Sequence, residues 1–121
     1  MNPIKVMLVD DEEDLSLVMA ERLEMRGFDA HGVTNSEKAL ELLKGKDFDV
    51  IVIDVKMPGI GGIDLMRQIK KEKPGTEVIL FTGHGSRKEG ELGISEGAFD
   101  FLIKPVTIES LIQKIEKAAA K

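Results

Sequence analysis

The sequence predicts an α/β fold in which five strands alternate with five helices as a doubly wound parallel sheet. Two observations lead to this prediction. Short runs of apolar and often β-branched residues recur along the chain, and between them apolar residues recur at helical spacing. Regular alternation of this kind is typical of a parallel sheet that helices cover on both faces. At 121 residues the chain is expected to form one domain.

Each strand is predicted from an apolar run that leads into a polar or turn-forming segment. The third run is the clearest, because Val50 to Ile53 are four consecutive apolar residues, a pattern typical of a strand buried on both faces. Asp54 follows at its end, and Pro58 and Gly59 then stop the strand. The predicted strands are residues 4–9, 28–33, 48–53, 78–81 and 99–103.

The helices are predicted from apolar spacing and from capping residues. The second helix begins after Asn35 or Ser36, either of which can cap it. Glycines 59, 61 and 62 predict a flexible loop before the third helix. The fourth helix, residues 87–96, contains Gly90 and Gly93, and each interior glycine costs about 0.8–1 kcal/mol relative to alanine. We therefore expect the fourth helix to be short or mobile.

The composition restricts the class of protein. The chain contains no Cys, which excludes disulfides and thiolate metal sites. No apolar run approaches membrane-spanning length and the N-terminal residues lack a signal-peptide pattern, so a cytoplasmic protein without membrane contact is expected. The net charge of −5 is unfavourable for binding a phosphate backbone, so we expect no direct nucleic-acid contact by this domain.

Polar side chains follow four of the five predicted strands. Asp10 and Asp11 follow the first strand, Asp54 the third, Thr82 the fourth and Lys104 the fifth. We adopt the strand order 2-1-3-4-5 of flavodoxin-like proteins, which is a resemblance and not a derivation. In that order these four strands are neighbours spaced about 4.8 Å apart, and ligands bind at the carboxyl ends of such strands. The five side chains are therefore expected to meet.

The charges of these side chains predict a metal ion. Three carboxylates and one ammonium leave a net charge of −2, which is unfavourable unless a carboxylate protonates or a cation binds. Oxygen ligands suit Mg²⁺, which is typically held by one or two carboxylates, waters and a phosphate. A carboxylate can also be the nucleophile of phosphoryl transfer and form an aspartyl-phosphate. We expect Asp54 to accept a phosphoryl group whose oxygens are held by Mg²⁺, Lys104 and Thr82.

The chain resembles the receiver domain of two-component response regulators, including the chemotaxis regulator. All four matching segments occur in the family's order and together extend over essentially the whole chain. They are Val9-Asp10-Asp11-Glu12, Asp54-Val55-Lys56-Met57-Pro58-Gly59, Thr82-Gly83 and Phe101-Leu102-Ile103-Lys104-Pro105. Each segment alone is weak, whereas the four together are specific. The resemblance implies that residues 1–121 are a single receiver domain.

The resemblance also implies the chemistry of the site. Asp54 would be the phosphoacceptor, and Mg²⁺ would be held by Asp10, Asp11, Asp54 and the main-chain carbonyl of Lys56. The phosphoryl donor would be a histidine kinase or a phosphotransfer protein. The domain would catalyse only its own phosphorylation and autodephosphorylation, and it would not be an enzyme for other substrates.

A conformational switch is implied by the same resemblance. The Thr82 hydroxyl would move toward the phosphoryl group, and the Phe101 ring would turn inward behind it, although Phe101 could also be a plain core residue. Lys104 would pair with the phosphoryl group, and the Lys104–Pro105 bond would be cis. The output face would consist of the fourth helix, the fifth strand and the last helix. It would control a partner or a fused effector domain, and a phosphorylation-dependent dimer through it is compatible with the sequence.

Two further hypotheses concern rates and motion. Lys56 and His84 each lie two residues past a site residue, and we expect them to tune the lifetime of the phosphoryl group. The glycine-rich fourth helix suggests a segment that fluctuates before phosphorylation and is ordered by it. Amide exchange across residues 86–96 is then expected to be fast before activation and slow after it.

Other functions fit the sequence less well. An aspartyl-phosphate phosphotransferase or phosphatase would usually carry Asp-x-Asp on the first strand, whereas Asp10 and Asp11 are adjacent. A flavin or nucleotide binder would need a phosphate loop where this chain has five acidic residues. A degenerate receiver that acts only as a protein-interaction domain would not need the complete set of polar residues.

Overall fold

The computed structural model describes residues 2–83 and 87–120, in which five strands alternate with five helices. The strands are β1 (Lys5–Val9), β2 (Asp29–Val33), β3 (Val50–Asp54), β4 (Glu77–Thr82) and β5 (Asp100–Ile103). The helices are α1 (Glu13–Met25), α2 (Ser36–Gly45), α3 (Gly62–Glu72), α4 (Arg87–Ser95) and α5 (Ile108–Ala119). The strand bounds lie within two residues of those predicted from the sequence.

The five strands form one parallel sheet in the order β2-β1-β3-β4-β5. This confirms the predicted doubly wound fold and its strand order 2-1-3-4-5. β1 pairs with β2 and β3, and β4 pairs with β3 and β5. The carboxyl ends of β1, β3, β4 and β5 are consequently adjacent, while β2 forms the edge farthest from β5.

Alternating residues of the central strands face two separate core layers. Met7 and Ile51 face the layer covered by α2 and α3, whereas Val6 and Val50 face the layer covered by α1 and α5. All five residues of β3 are buried, because helices cover this strand on both sides. The continuous apolar run before Asp54 is thus explained by burial on both faces of the sheet.

The start of α2 is tied to the loop that follows β3. Asn35 is the capping residue, and its Oδ1 accepts a hydrogen bond from the Lys38 N–H at 2.8 Å. Ser36 is instead the first helical residue, and its Oγ donates to the Ile60 carbonyl at 2.8 Å. Of the two candidates from the sequence, Asn35 therefore caps the helix and Ser36 connects it to the β3–α3 loop.

None of the helices in the described part of the chain is long and apolar enough to span a membrane. The longest of them, α1, has 13 residues, whereas a spanning helix needs about 20.

The glycines of α4 lie on its buried face. A Cβ at Gly90 would overlap the ring of Phe101 in β5, and a Cβ at Gly93 would overlap the Leu80 side chain in β4. These residues therefore lower helix propensity and at the same time allow the helix to lie close to the sheet. Within the described residues α4 has nine residues, one fewer than the ten predicted at 87–96. Its mobility stays a prediction.

Gly62 corrects the prediction of a flexible loop before α3. It is the first residue of α3, it is buried, and its N–H donates to the Val55 carbonyl at 3.0 Å. A Cβ at this position would overlap the carbonyl oxygen of Asp54. Gly62 is thus a packed residue that lets α3 begin directly against the end of β3.

Replacing Gly62 by alanine is expected to lower the free energy of unfolding by about 1–3 kcal/mol, since the new methyl group meets main-chain atoms that cannot turn away. Urea denaturation measures the loss. Gly75→Ala is the matched control, because a Cβ at Gly75 has no atom within 4 Å. A loss for Gly62→Ala no larger than that for Gly75→Ala would contradict the proposed close packing.

Candidate functional site

Main-chain hydrogen bonds fix the positions of the strand ends that carry the predicted site residues. The Val55 N–H donates to the Phe81 carbonyl at 2.9 Å, and the Lys104 N–H donates to the Thr82 carbonyl at 2.8 Å. Asp54 lies opposite Phe81 in the register of β3 and β4. The sheet itself therefore brings the ends of β3, β4 and β5 together, before any side chain contributes.

Three carboxylates meet at this edge of the sheet, as the sequence predicted. Asp10, Asp11 and Asp54 each have one carboxylate oxygen within 4.8 Å of such an oxygen in the other two residues. Asp10 and Asp54 are buried, with exposed fractions of 4% and 7%, whereas Asp11 is exposed. Asp10 Oδ1 also accepts a hydrogen bond from the Glu12 N–H at 2.9 Å, which fixes the orientation of its carboxylate.

Lys104 places its ammonium among these carboxylates. Its Nζ lies 2.8 Å from Asp10 Oδ2, 3.6 Å from Asp54 Oδ2 and 3.7 Å from Glu12 Oε1. Burial lowers the pKa of Lys104, but its hydrogen bond to Asp10 and the surrounding negative charges outweigh that effect, so its pKa is raised overall. The Lys104–Pro105 peptide bond is cis, as the sequence resemblance implied.

Glu12 is a member of this group that the sequence analysis did not single out. Its carboxylate is within ion-pair distance of Lys104. The available signal was its place at the end of the matching segment Val9-Asp10-Asp11-Glu12, but nothing in that segment indicated a contact with Lys104. Its inclusion makes the group more negative than the sequence analysis assumed.

The surroundings of Asp54 disfavour its ionised form. Burial is the largest cause and the negative charge of Asp10 is the next, and together they raise the pKa of Asp54 from its ordinary value to about 6. Lys104 and the Lys56 N–H, which lies 3.4 Å from Asp54 Oδ1, act in the opposite direction but do not compensate. An additional cation near Asp54 would therefore be stabilising.

Thr82 ends β4 with a hydroxyl that has no hydrogen-bond partner in the described part of the chain. The residue is completely buried, and its Oγ1 has no hydrogen-bond partner among the described residues. A buried hydroxyl without a hydrogen bond costs about 1–3 kcal/mol. The hydroxyl is thus available to a ligand or group that reaches the edge of the sheet beside β3.

Two other predicted residues lie outside the carboxylate group. Phe101 is half-buried in β5, where its ring contacts Gly90 of α4 and lies 6.0 Å from the Arg87 guanidinium carbon. The Lys56 side chain is exposed, and its Nζ lies 3.7 Å from Glu89 Oε1. His84, predicted to tune rates, lies outside the described residues.

The chemistry of this edge suits a hard divalent cation together with an oxyanion. Carboxylate oxygens from Asp10, Asp11 and Asp54 are the ligands that Mg²⁺ prefers, and the group carries excess negative charge. Lys104 and the Thr82 hydroxyl are donors that could bind oxygens of an incoming anion.

Comparison with known proteins agrees with this geometry. Residues 6–116 match the family model described as the response regulator receiver domain. The chain is 34% identical over 116 residues to the C4-dicarboxylate transport transcriptional regulatory protein DctD of Rhizobium meliloti (strain 1021), and this match includes 96% of the chain and 25% of DctD. The chain thus spans about a quarter of the length of that relative.

Two solved structures are similar over nearly their whole length. A response regulator receiver domain protein from Clostridium thermocellum has a TM-score of 0.91 and 34% identity, covering 97% of this chain and 94% of that one. The receiver domain of NtrC4, solved as a beryllofluoride-activated dimer, has a TM-score of 0.88 and 34% identity, with 96% of each chain covered. The chain belongs to the response regulator receiver domain family, whose members are phosphoacceptor modules of two-component signalling.

Proposed function

We propose that this domain is a phosphorylation-dependent switch and that Asp54 receives the phosphoryl group. The observation that carries the proposal is the meeting of Asp10, Asp11, Asp54 and Lys104 at one edge of the sheet. Thr82, on the strand next to Asp54, adds a buried hydroxyl without a partner. A phosphoryl group with its metal ion would supply what both features lack, namely positive charge for the carboxylates and an acceptor for the hydroxyl.

Mg²⁺ fits the donor atoms present at this edge. Its ligands would be the carboxylates of Asp10, Asp11 and Asp54 and the main-chain carbonyl of Lys56. When bound, the ion would neutralise the carboxylates and the oxygens of the transferred group.

In the proposed reaction, a carboxylate oxygen of Asp54 forms a bond to phosphorus while the bond between phosphorus and the donor nitrogen breaks. The donor is a phosphohistidine of a histidine kinase or a phosphotransfer protein, and the electron pair of the broken bond remains on its imidazole nitrogen. Lys104, whose Nζ lies 3.6 Å from Asp54 Oδ2, is positioned to bind a phosphoryl oxygen. The domain catalyses only this transfer and the later loss of the phosphoryl group to water.

The switch follows from a new hydrogen bond at Thr82. Its hydroxyl donates to a phosphoryl oxygen, and the Phe101 ring then turns inward from its half-buried position. Phe101 lies on β5 between α4 and α5, so its movement alters the face formed by these three elements. That face controls a partner or a fused effector domain, and it is also where a phosphorylation-dependent dimer would form.

The rate at which the phosphoryl group is lost is proposed to depend on Lys56 and His84. The Lys56 ammonium is directed toward Glu89 in α4, so its effect on an attacking water depends on whether that ion pair persists. Replacing either residue is expected to change the rate of autodephosphorylation.

The remaining proposals concern the protein's surroundings. We propose a cytoplasmic location without membrane contact. We also propose that this domain makes no direct nucleic-acid contact, on the basis of its net charge of −5. A degenerate receiver that serves only as an interaction domain is disfavoured, since such a domain would have no need to keep Asp54, Lys104 and Thr82 together. No observation favours a phosphotransferase that acts on a small molecule.

Incubation with acetyl phosphate and Mg²⁺ is expected to add one phosphoryl group to the intact protein, measured by mass spectrometry, because Asp54 is the proposed acceptor. Asp54→Ala should abolish the gain, and omission of Mg²⁺ should reduce it strongly. Asp14→Ala, which removes an exposed carboxylate at the start of α1, is the matched control and should retain the gain. A gain that survives Asp54→Ala would overturn the assignment of the acceptor.

Without Mg²⁺, Asp54→Asn is expected to raise the free energy of unfolding by about 1–3 kcal/mol near pH 7.5. The reason is that the pKa of Asp54 is raised in the folded protein, so its ionised form destabilises the fold at this pH. At about pH 4 the carboxyl is protonated in the folded state and about half protonated in the unfolded state, so the gain should be small; it should grow as the pH rises from about 4 to about 6 and level off above that. Urea denaturation with a chelator tests this, and an equal gain at both pH values would contradict it.

Thr82→Val is expected to raise the free energy of unfolding by about 1–3 kcal/mol, because it removes a buried hydroxyl that forms no hydrogen bond to residues 2–83 or 87–120. The same variant should accept a phosphoryl group without the change in amide exchange across α4 that is expected in the wild type. Thr82→Ser keeps the hydroxyl and should keep that response. A destabilised Thr82→Val variant with a normal exchange response would refute the role of the hydroxyl.

A further inference from the structure

The first turn of α4, residues 87–90, contacts both parts of the molecule that phosphorylation of Asp54 would change. Glu89 Oε1 lies 3.7 Å from Nζ of Lys56, which is two residues past the acceptor. Arg87 lies over the Phe101 ring, with 6.0 Å between its guanidinium carbon and the ring centroid. Gly90 is buried against the same ring. One helical turn therefore contacts both Lys56, which follows the proposed acceptor, and Phe101, the proposed switch residue.

Gly90 allows this turn to cover the ring directly. A Cβ at position 90 would overlap three ring carbons of Phe101, including the carbon nearest to the main chain. These atoms are not the free end of a flexible side chain, so they cannot yield without movement of the whole ring or of the helix. Any residue larger than glycine would separate α4 from β5 at this point.

The other end of α4 is attached to different parts of the domain. Gly93 packs on Leu80 in β4, and its carbonyl accepts a hydrogen bond from the Ala98 N–H at 2.9 Å. Glu96, just past the helix, forms an ion pair with Arg67 of α3. None of these contacts involves Lys56 or Phe101. The first turn can therefore move away from the switch residue while the far end of α4 keeps its contacts.

We propose that residues 87–90 form a latch, which holds the Phe101 ring in its half-buried position against Gly90 and so favours the unphosphorylated state. This inference rests on the proposed function, and it adds the element that opposes activation.

Both contacts of the latch would be lost when Asp54 is phosphorylated. Inward rotation removes the Phe101 ring from Gly90 and Arg87. The added phosphoryl group carries more negative charge than the Glu89 carboxylate and is attached to Asp54, whose Oδ1 lies 3.4 Å from the Lys56 N–H, so it competes for the Lys56 ammonium. A contact present in only one of two states shifts the equilibrium toward that state. Weakening the latch should therefore favour the activated state and speed up phosphorylation by a small donor.

The test compares pairs of variants that make the same chemical change inside and outside the latch. Gly90→Ala separates the helix from the ring, whereas Gly93→Ala gives the same gain in helix propensity but meets the buried Leu80 side chain in β4 and not Phe101. Glu89→Gln removes the ion pair with Lys56, whereas Glu91→Gln makes the same change at an exposed position of α4. The readouts are the rate of phosphorylation by acetyl phosphate, from intact mass, and amide exchange across residues 87–95 before phosphorylation.

Gly90→Ala is expected to raise the rate about fivefold and Glu89→Gln about twofold, while both controls stay near the wild-type rate. Exchange in the first turn should be faster in Gly90→Ala than in Gly93→Ala. In a Phe101→Ala background the Gly90→Ala substitution should lose its effect, because the ring it displaces is absent.

The outcomes separate this inference from the function on which it rests. If the wild type is phosphorylated on Asp54 but Gly90→Ala and Glu89→Gln match their controls or react more slowly, the latch is overturned and the function stands. If the wild type accepts no phosphoryl group, both are overturned. If Gly90→Ala fails to fold, the comparison of Glu89→Gln with Glu91→Gln decides the question.

Discussion

The carboxylates at the carboxyl ends of the strands carry negative charge that the fold does not neutralise, and the other features of the site are related to this charge. Asp10 and Asp54 are buried beside each other, Asp11 is close to both, and the Lys104 ammonium is shared among them. Burial and the repulsion from Asp10 raise the pKa of Asp54 to about 6, so the folded protein keeps this carboxylate at a cost. Binding of a cation would reduce the repulsion between these carboxylates and would therefore stabilise the folded protein.

The strand order of the sheet brings the carboxylates together and also places the groups that could bind a phosphoryl group beside them. The order β2-β1-β3-β4-β5 places the ends of β1, β3, β4 and β5 side by side, which brings the acids, Thr82 and Lys104 together. Among the described residues the Thr82 hydroxyl has no hydrogen-bond partner, and the carboxylates carry excess negative charge. One ligand, a phosphoryl group with its metal ion, would satisfy both. In the proposed switch, the free energy released when this ligand binds compensates for the loss of the contacts between α4 and Phe101.

The sequence predicted the strands and the central site residues because both depend on local pattern. The buried run before Asp54 and the polar residue at each strand end are visible without coordinates. Two close approaches cannot be predicted without coordinates, namely that of Gly62 to the Asp54 carbonyl and that of Gly90 to the Phe101 ring. Each brings together residues whose contact no helical or strand periodicity in the sequence indicates. Sequence propensity therefore gave a flexible loop at Gly62, where the structure has tight packing. Glu12 was missed for a similar reason, because its contact with Lys104 joins opposite ends of the chain.

The most direct test of the central claim is a high-resolution structure of the wild-type protein with Mg²⁺ and beryllofluoride, which mimics a phosphoryl group on Asp54. We expect Thr82 Oγ1 and Lys104 Nζ both to donate to fluorine atoms. We also expect Asp10 and Asp11 to contribute to holding the metal ion, and the Phe101 ring to have left Gly90. A structure in which beryllofluoride is bound while the Thr82 hydroxyl stays unpaired and Phe101 stays against α4 would contradict the central claim.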